Sequence, residues 1–181
     1  MAQPAIIYRV NIQLSDVDRN LYQKLQTTVA RHPSETPERL IARVLAYAVR
    51  FDPELAFTKG ISAGDEPDLW IKGPDGRVTT WIEVGQPDPE RLLKASRHAG
   101  RVILFAYGPT RFRWENQHLS RLSAISNLTV LGIEYDFLSQ IVARLQRAVN
   151  WELTITEGNL YLSIGEETLE SALTVLAGSI D

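Results

Sequence analysis

Two acidic residues stand on either side of a turn, at a spacing that could let them share one cation. Asp68 precedes the turn Gly73-Pro74-Asp75-Gly76, and Glu83 follows it. Proline sets φ at the second position of such a turn and glycine ends it, so the segment predicts a β-hairpin. With proline and aspartate at its centre, Asp68 pairs with Trp81. Glu83 then becomes the diagonal neighbour of Asp68 on the same face, because side chains alternate along a strand.

The apolar residues of the hairpin support this register. They alternate with the two acids and form one almost wholly apolar face: Leu69, Ile71, Val78, Thr80, Ile82 and Val84. A slip of one residue would turn this set to the wrong side of the sheet. The remaining residues form a mixed face: Asp68, Trp70, Lys72, Trp81, Glu83 and Gly85.

Paired carboxylates of this kind suit a hard cation. Mg²⁺ commonly takes one or two carboxylates together with waters and substrate phosphates, and Mn²⁺ could take its place. A bound divalent ion lowers the pKa of a water and stabilises the charge on a phosphate. The pair Asp68 and Glu83 therefore predicts a Mg²⁺ site. Carboxylates on exposed sheet faces are also common without any ligand, so a solvated pair is the alternative.

Length and composition limit the classes of protein to be considered. The 181 residues predict one domain, 1–181. A net charge of −3 argues against bulk non-specific binding of nucleic acid, although it permits a local basic patch. The chain has no cysteine, no signal-peptide pattern and no apolar run of the roughly 20 residues that cross a bilayer. We therefore expect a cytoplasmic monomer with no membrane partner.

Periodicity along the chain predicts an α/β fold with a mixed sheet flanked by helices. Strands are expected at 6–14, 55–59, 102–107, 128–134, 151–156 and 159–164, in addition to the hairpin. Helices are expected from about 17 to 32, then at 37–48, 88–100, 115–126, 137–148 and 166–176. The hairpins supply antiparallel pairing, and the later crossovers supply parallel pairing through right-handed connections.

Several segments together resemble the YaeQ family and, more widely, the restriction-endonuclease-like PD-(D/E)XK superfamily. They are Tyr8-Arg9-Val10, His32-Pro33-Ser34-Glu35-Thr36-Pro37-Glu38-Arg39, Leu45-Ala46-Tyr47-Ala48, Asp65-Glu66-Pro67-Asp68-Leu69-Trp70, Trp81-Ile82-Glu83-Val84-Gly85-Gln86-Pro87 and Phe105-Ala106-Tyr107-Gly108. The resemblance implies a bacterial protein with a nuclease-like core, whose biochemical role is not established.

The resemblance also implies roles for single residues. Asp68 and Glu83 match the metal-binding acids of the superfamily, which implies a Mg²⁺-dependent nuclease or phosphodiesterase. Glu38, in the first turn of the second helix, matches an acid that some members carry on an early helix. Gly85 stands where the motif has a catalytic lysine, so the motif is degenerate.

Three residues could take the place of that lysine. Two of them carry a positive charge, which can act from a neighbouring backbone position. Lys94 lies on the helix after the motif, and Lys72 lies on the hairpin face of the two acids. Gln86 could position a water as a neutral substitute. Gly85 itself also has a structural explanation, since glycine permits a sharp exit from the strand.

A basic stripe follows the motif and predicts contact with nucleic acid. Its members share one side of the expected helix: Arg91, Lys94, His98 and Arg101. A solvated helix face is the alternative. Trp70 and Trp81 could likewise stack on bases or cover a neighbouring helix.

These patterns leave three functions open. The first is a Mg²⁺-dependent nuclease. The second is an inactive nuclease fold that binds nucleic acid through the basic stripe. The third is a module that binds a protein partner, for which the acidic balance is the sequence support.

Overall fold

The computed structural model describes residues 3–59 and 64–180 of the chain. Its strands are β1 (Ile6–Asp16), β2 (Leu21–Arg31), β3 (Ala56–Phe57), β4 (Leu69–Lys72), β5 (Val78–Val84), β6 (Arg101–Ala106), β7 (Leu128–Ile133), β8 (Ala148–Thr156), β9 (Asn159–Ile164) and β10 (Glu167–Ala177). Its helices are α1 (Pro37–Val49), α2 (Pro89–His98), α3 (Arg111–Leu122) and α4 (Tyr135–Val142).

The strands form one mixed sheet, which confirms the predicted α/β fold class. Their order is β2-β1-β8-β9-β10-β7-β6-β5-β4-β3. The pairs β1–β8, β5–β6 and β6–β7 are parallel, and the remaining neighbours are antiparallel. No helix in the described ranges is long and apolar enough to cross a bilayer.

The helix predicted at 17–32 is wrong, since this segment forms the edge strand β2. Leu21, Leu25 and Val29 repeat every four residues, a spacing that fits a helical stripe. Four is also an even number, so a strand places the same three residues on one face. They pack inward here, and Asn20 adopts a positive φ of 53° in the turn that returns β2 antiparallel to β1.

The helix predicted at 166–176 is wrong for the same reason. Leu169 and Leu173 are four residues apart and both lie buried on one face of strand β10, in the larger core. A bulge between Val175 and Ala177 then turns Ala177 towards the second cluster on the opposite face. Gly165, with φ of 61°, turns the chain back so that β10 pairs with β9. The far end of β10 pairs with β7 and so joins the two halves of the sheet.

Two other helices differ from prediction in their bounds. Helix α3 begins four residues before the predicted start of 115–126. Helix α4 ends at Val142 rather than near 148, because the chain enters β8 at Ala148.

Helices cover both faces of the sheet. Helices α1 and α4 pack into the larger apolar core, and α2 and α3 pack on the opposite face against a second apolar cluster. Helix α1 contacts both β1 and β5, which lie six positions apart in the strand order. The sheet therefore curves around α1 and approaches a barrel.

Candidate functional site

The hairpin brings the two predicted acids together, but in a different register. Trp70 pairs with Trp81, whereas the sequence predicted that Asp68 would face Trp81. The shift of two residues keeps each of these side chains on its predicted face. Asp68 now lies directly before the paired segment of β4, beside the end of β5 that carries Glu83. The two carboxylates are consequently close neighbours across the strands.

The turn explains the shift. The N–H of Gly73 donates to the carbonyl of Arg77 at 2.8 Å, and Gly76 adopts a φ of 81°. The turn therefore has one residue more, on its β5 side, than a two-residue turn. A β-bulge between the pairs of Lys72 and Ile71 adds a second extra residue to β5. Val78 consequently packs with Trp81 against the second cluster rather than on the predicted core face.

Asp68 and Glu83 line one pocket of about 430 Å³, located where β5 and β6 end. Its wall consists of Arg39, Gly64, Glu66, Asp68, Glu83, Val84, Gly85, Gln86, Pro87, Arg91 and Tyr107. The carboxyl ends of parallel strands, where a sheet is flanked by helices, are a common position for ligand sites.

Both oxygens of Asp68 accept hydrogen bonds. The N–H of Val84 donates to Oδ2 at 2.9 Å, which fixes the carboxylate against β5. Arg39, from the first turn of α1, donates through Nη2 to Oδ1. With only 5% of its surface exposed, Asp68 is a buried charge compensated by one guanidinium and one backbone donor.

Glu83 is compensated on one oxygen and not on the other. Arg91 on α2 donates through Nε to Oε1 at 2.5 Å. The buried Oε2 has no hydrogen-bond partner among the described residues. Burial raises the pKa of Glu83; Arg91 opposes this shift, and the charge of Asp68 adds to it. The indole of Trp81 lowers the pKa of Glu83. Its buried Nε1 has no hydrogen-bond partner among the described residues.

A network of buried charges holds Arg39 in place. Glu35 accepts from Arg39 Nη1 at 2.5 Å, and from Nε and Nη2 of Arg43 at 2.8 and 2.6 Å. Arg43 also donates to the carbonyl of Ala30 at 2.9 Å. The network joins β2 and α1 to Asp68, and it explains how two nearly inaccessible ions, Glu35 and Arg43, are tolerated in the core.

Three helices begin around the pocket. The first turns of α1 and α2 supply Arg39 and Arg91. Helix α3 reaches the wall through its N-cap residue Thr110, whose hydroxyl donates to Oε1 of Gln86 at 3.1 Å. Helix N-termini carry a partial positive charge. The pocket therefore combines two carboxylates with positive charge that favours an anion beside them.

Tyr107 extends from the end of β6 into the same pocket wall. Burial raises the pKa of its phenol to about 12, so the side chain is neutral at physiological pH. It contributes an uncharged polar group next to Arg39.

Gly85 has a backbone conformation that accounts for the missing lysine. Its φ of 107° lies in a region that L-residues seldom adopt, and its N–H donates to the carbonyl of Phe105 at 2.9 Å. A Cβ at this position would meet no atom within 4 Å. Conformation, and not lack of space, therefore favours glycine here.

The residues predicted to replace the lysine lie in different places. Lys72 sits at the turn end of β4, with Nζ 3.9 Å from the centre of the Trp70 ring. Lys94 is exposed on α2, and neither lysine is among the residues that line the pocket; nor is Glu38. Gln86 does line it, but both ends of its amide are engaged, since Nε2 donates to the carbonyl of Tyr107 at 3.0 Å.

The predicted basic stripe does not act as one surface at the pocket. Arg91 lies at the pocket, and its guanidinium is bound to Glu83. His98 ends the same helix, with Nδ1 2.8 Å from the carbonyl of Lys94. Arg101 opens β6 at the opposite end of the strand and donates to the carbonyl of Ser179 at 3.1 Å.

Sequence reasoning missed Arg39 and Glu35 as members of the site. The signal was present, because Glu35, Arg39 and Arg43 recur every four residues at the start of a strongly apolar helix. Charged residues in that position are buried only when they are paired. The spacing alone contains no long-range information that would link these residues to Asp68.

Comparisons with known proteins give a consistent result. The family model for YaeQ protein matches residues 1–173. The chain is 38% identical over 175 residues to an uncharacterized protein YaeQ of Salmonella typhi, covering 96% of this chain and 97% of that one. It is similar to the crystal structure of YaeQ protein from Pseudomonas syringae, with TM-score 0.93, 39% identity and coverage of 98% and 99%. The crystal structure from Xanthomonas axonopodis pv. citri also matches, with TM-score 0.93, 32% identity and coverage of 97% and 99%.

Proposed function

The chain belongs to the YaeQ family, and from that premise we propose that it is a Mg²⁺-dependent phosphodiesterase that acts on nucleic acid. The observation that carries the proposal is the buried Oε2 of Glu83, which has no hydrogen-bond partner in the described ranges and belongs to a residue that lines one pocket with Asp68. Leaving a buried carboxylate oxygen unpaired is costly. A cation in the pocket would remove that cost.

The residues of the pocket fit Mg²⁺ or Mn²⁺. Asp68 and Glu83 are two hard oxygen ligands, and Mg²⁺ often takes no more than two carboxylates from a protein when phosphate and water complete its shell. A bound divalent ion would lower the pKa of a coordinated water and neutralise charge on a phosphate. The proposal also assigns the β4–β5–α2–β6 segment, with α1 beside it, to a nuclease-like core of the PD-(D/E)XK type.

Arg39 and Arg91 take over the positive charge that the motif lysine would supply. Each already extends into the pocket from the first turn of a helix, next to one of the acids. When the acids bind a cation, their guanidinium partners become available to a phosphate, whose oxygens they can contact in a bidentate manner. The helix N-termini add to this positive potential.

Gln86 has a positioning role in this proposal. Its amide spans the wall between the carbonyl of Tyr107 and the hydroxyl of Thr110. It thereby fixes the distance between β6 and α3, and so the width of the pocket, rather than binding the attacking water. Lys72 and Lys94 are left as surface charges that attract the substrate over longer distances.

A second candidate function is supported by the same ion pairs. Asp68 and Glu83 each have an arginine partner already, so the pocket can balance its charge without a metal. That arrangement favours a nuclease fold that binds nucleic acid and does not cleave it.

One experiment separates the two candidates. Purified protein is incubated with labelled single- and double-stranded oligonucleotides in Mg²⁺, Mn²⁺ or EDTA, together with E83Q, D68N and the control E38Q. A metal-dependent phosphodiesterase should cleave only with a divalent ion, lose cleavage in E83Q and D68N, and keep it in E38Q. Binding without cleavage in either metal would instead support the second candidate. Cleavage that persists in E83Q and D68N would overturn the assignment of the site.

A further inference from the structure

Phe112 is the most exposed large hydrophobic side chain in the described part of the protein. It lies in the first turn of α3, and 68% of its surface is accessible to solvent. Solitary exposed aromatics are common on protein surfaces. This one is distinguished by what lies beneath its ring.

Arg111 holds the Phe112 ring from one side. The guanidinium carbon lies 5.0 Å from the ring centroid. Arg111 is itself only 5% exposed and donates through Nη1 to the carbonyl of Ile133 at 3.1 Å. It also forms ion pairs with Glu115 at 3.5 Å and Glu134 at 3.7 Å. The ring therefore packs against a guanidinium that is itself held in place, and most of its surface remains available to a ligand.

Helix α3, which carries Phe112, begins beside the acid pocket. Thr110, two residues before Phe112, donates to Gln86 in the pocket wall. Arg113, the next residue of the same turn, is also exposed and adds a positive charge to this end of α3. A phosphate in the pocket and an exposed aromatic ring on the helix that begins beside it are the two elements of single-strand recognition.

We propose that Phe112 is a base-stacking platform for a single-stranded nucleic acid whose phosphate occupies the pocket of Asp68 and Glu83. This inference rests on the proposed function and names its substrate class. Single strands are favoured because their unstacked bases have free faces, whereas the bases of a duplex are stacked on one another. The contact does not depend on sequence, since every base has a π-face.

The test is equilibrium binding measured by fluorescence anisotropy in Ca²⁺, a hard cation that carboxylate oxygens bind, and each probe is checked for intactness after the measurement. The probes are a short fluorescein-labelled oligothymidylate and an oligomer of the same length built from abasic phosphodiester units. F112A should weaken binding of the oligothymidylate by about 5- to 150-fold, the loss expected for one stacked base. Binding of the abasic oligomer should be unchanged, and F112W should restore the affinity that F112A and F112L lose.

Y22A is the matched control, because Tyr22 is an aromatic side chain of similar exposure, 57%, on the edge strand β2. It should bind both probes like the wild type. Equal affinity of F112A and wild type for the oligothymidylate would overturn the platform, and so would a wild type that does not distinguish the two probes. Neither result affects the proposed function, which is decided separately by metal-dependent cleavage in E83Q and D68N.

Discussion

Arg91 and Glu83 join a helix and a strand through one ion pair, in which Nε donates to Oε1 at 2.5 Å. The other two nitrogens of the guanidinium donate to the carbonyls of Gly64 and Glu66 at 2.5 and 2.7 Å. One side chain thus ties α2, β5 and the segment before Asp68 together. The pocket is organised around a guanidinium from the following helix, in a motif where a lysine on the strand was expected.

Loss of this side chain should be costly. R91A leaves the carboxylate of Glu83 buried without its charged partner and releases two backbone carbonyls. Because the Arg91 side chain is about one-third exposed, we expect a loss of about 1–3 kcal/mol in the free energy of unfolding. Urea denaturation followed by circular dichroism measures it.

Two further variants show where that cost arises. Arg97 is exposed on the same helix, so R97A should change the free energy of unfolding by less than about 0.5 kcal/mol. E83Q combined with R91A should be less destabilised than the sum of the single changes. Additive single changes would contradict the ion pair.

The core ion network should tolerate substitution even less. R43M removes two of the three hydrogen bonds to the buried carboxylate of Glu35 and leaves it only Arg39; breaking a buried ion pair costs about 3–5 kcal/mol. The same substitution at exposed Arg9 on β1 is the matched control and should be nearly neutral. Comparable midpoints for R43M and R9M in urea would refute the structural role of the network.

Gly85 should resist substitution for conformational reasons. G85A places an L-residue at φ of 107°, for which we expect a cost of about 1–3 kcal/mol. Gly64 provides the control, because an added Cβ there also meets nothing and no positive φ restrains it. If thermal denaturation shifted G85A and G64A by the same amount, backbone strain would not explain the absence of the motif lysine.

The raised pKa of Glu83 has a consequence for stability as a function of pH. The folded chain holds this proton more tightly than the unfolded chain, whose Glu83 has the ordinary value near 4.5. The contribution of Glu83 to stability is therefore present below that value and decreases as pH rises through the higher folded pKa.

E83Q isolates this effect in chelator-treated protein. The unfolding free energy of the wild type, taken relative to E83Q, should fall as the pH rises from about 4.5 towards neutrality. Chemical denaturation at several pH values gives the difference directly. A relative stability that increases over this interval would mean that Arg91 outweighs burial at Glu83.

The sequence was sufficient for the features that depend on local signals. The turn glycines and the alternation of the hairpin located Asp68 and Glu83 on one face. The helices expected at 37–48 and 88–100 form as α1 and α2, each with an N-cap side chain followed by proline. Segments with an apolar residue every fourth position could not be resolved, because both a helix and a strand satisfy that spacing. This ambiguity accounts for β2 and β10.

The partners of the acids were beyond local reasoning. Arg39 lies 29 positions before Asp68 in the chain, and their contact exists only because the sheet curves around α1. The stripe from Arg91 to Arg101 was predicted from helical spacing alone. Helix α2 ends at His98, so Arg101 belongs to a strand and lies at the other end of the sheet.

The proposed activity depends on one divalent cation bound by Asp68 and Glu83. Anomalous diffraction from crystals soaked in Mn²⁺ tests this binding most directly, with E83Q crystals treated in the same way. We expect an anomalous peak between the two carboxylates, bonded to Oε2 of Glu83, and no such peak in E83Q. Wild-type crystals with no peak at this pocket, and with both arginine ion pairs intact, would contradict it.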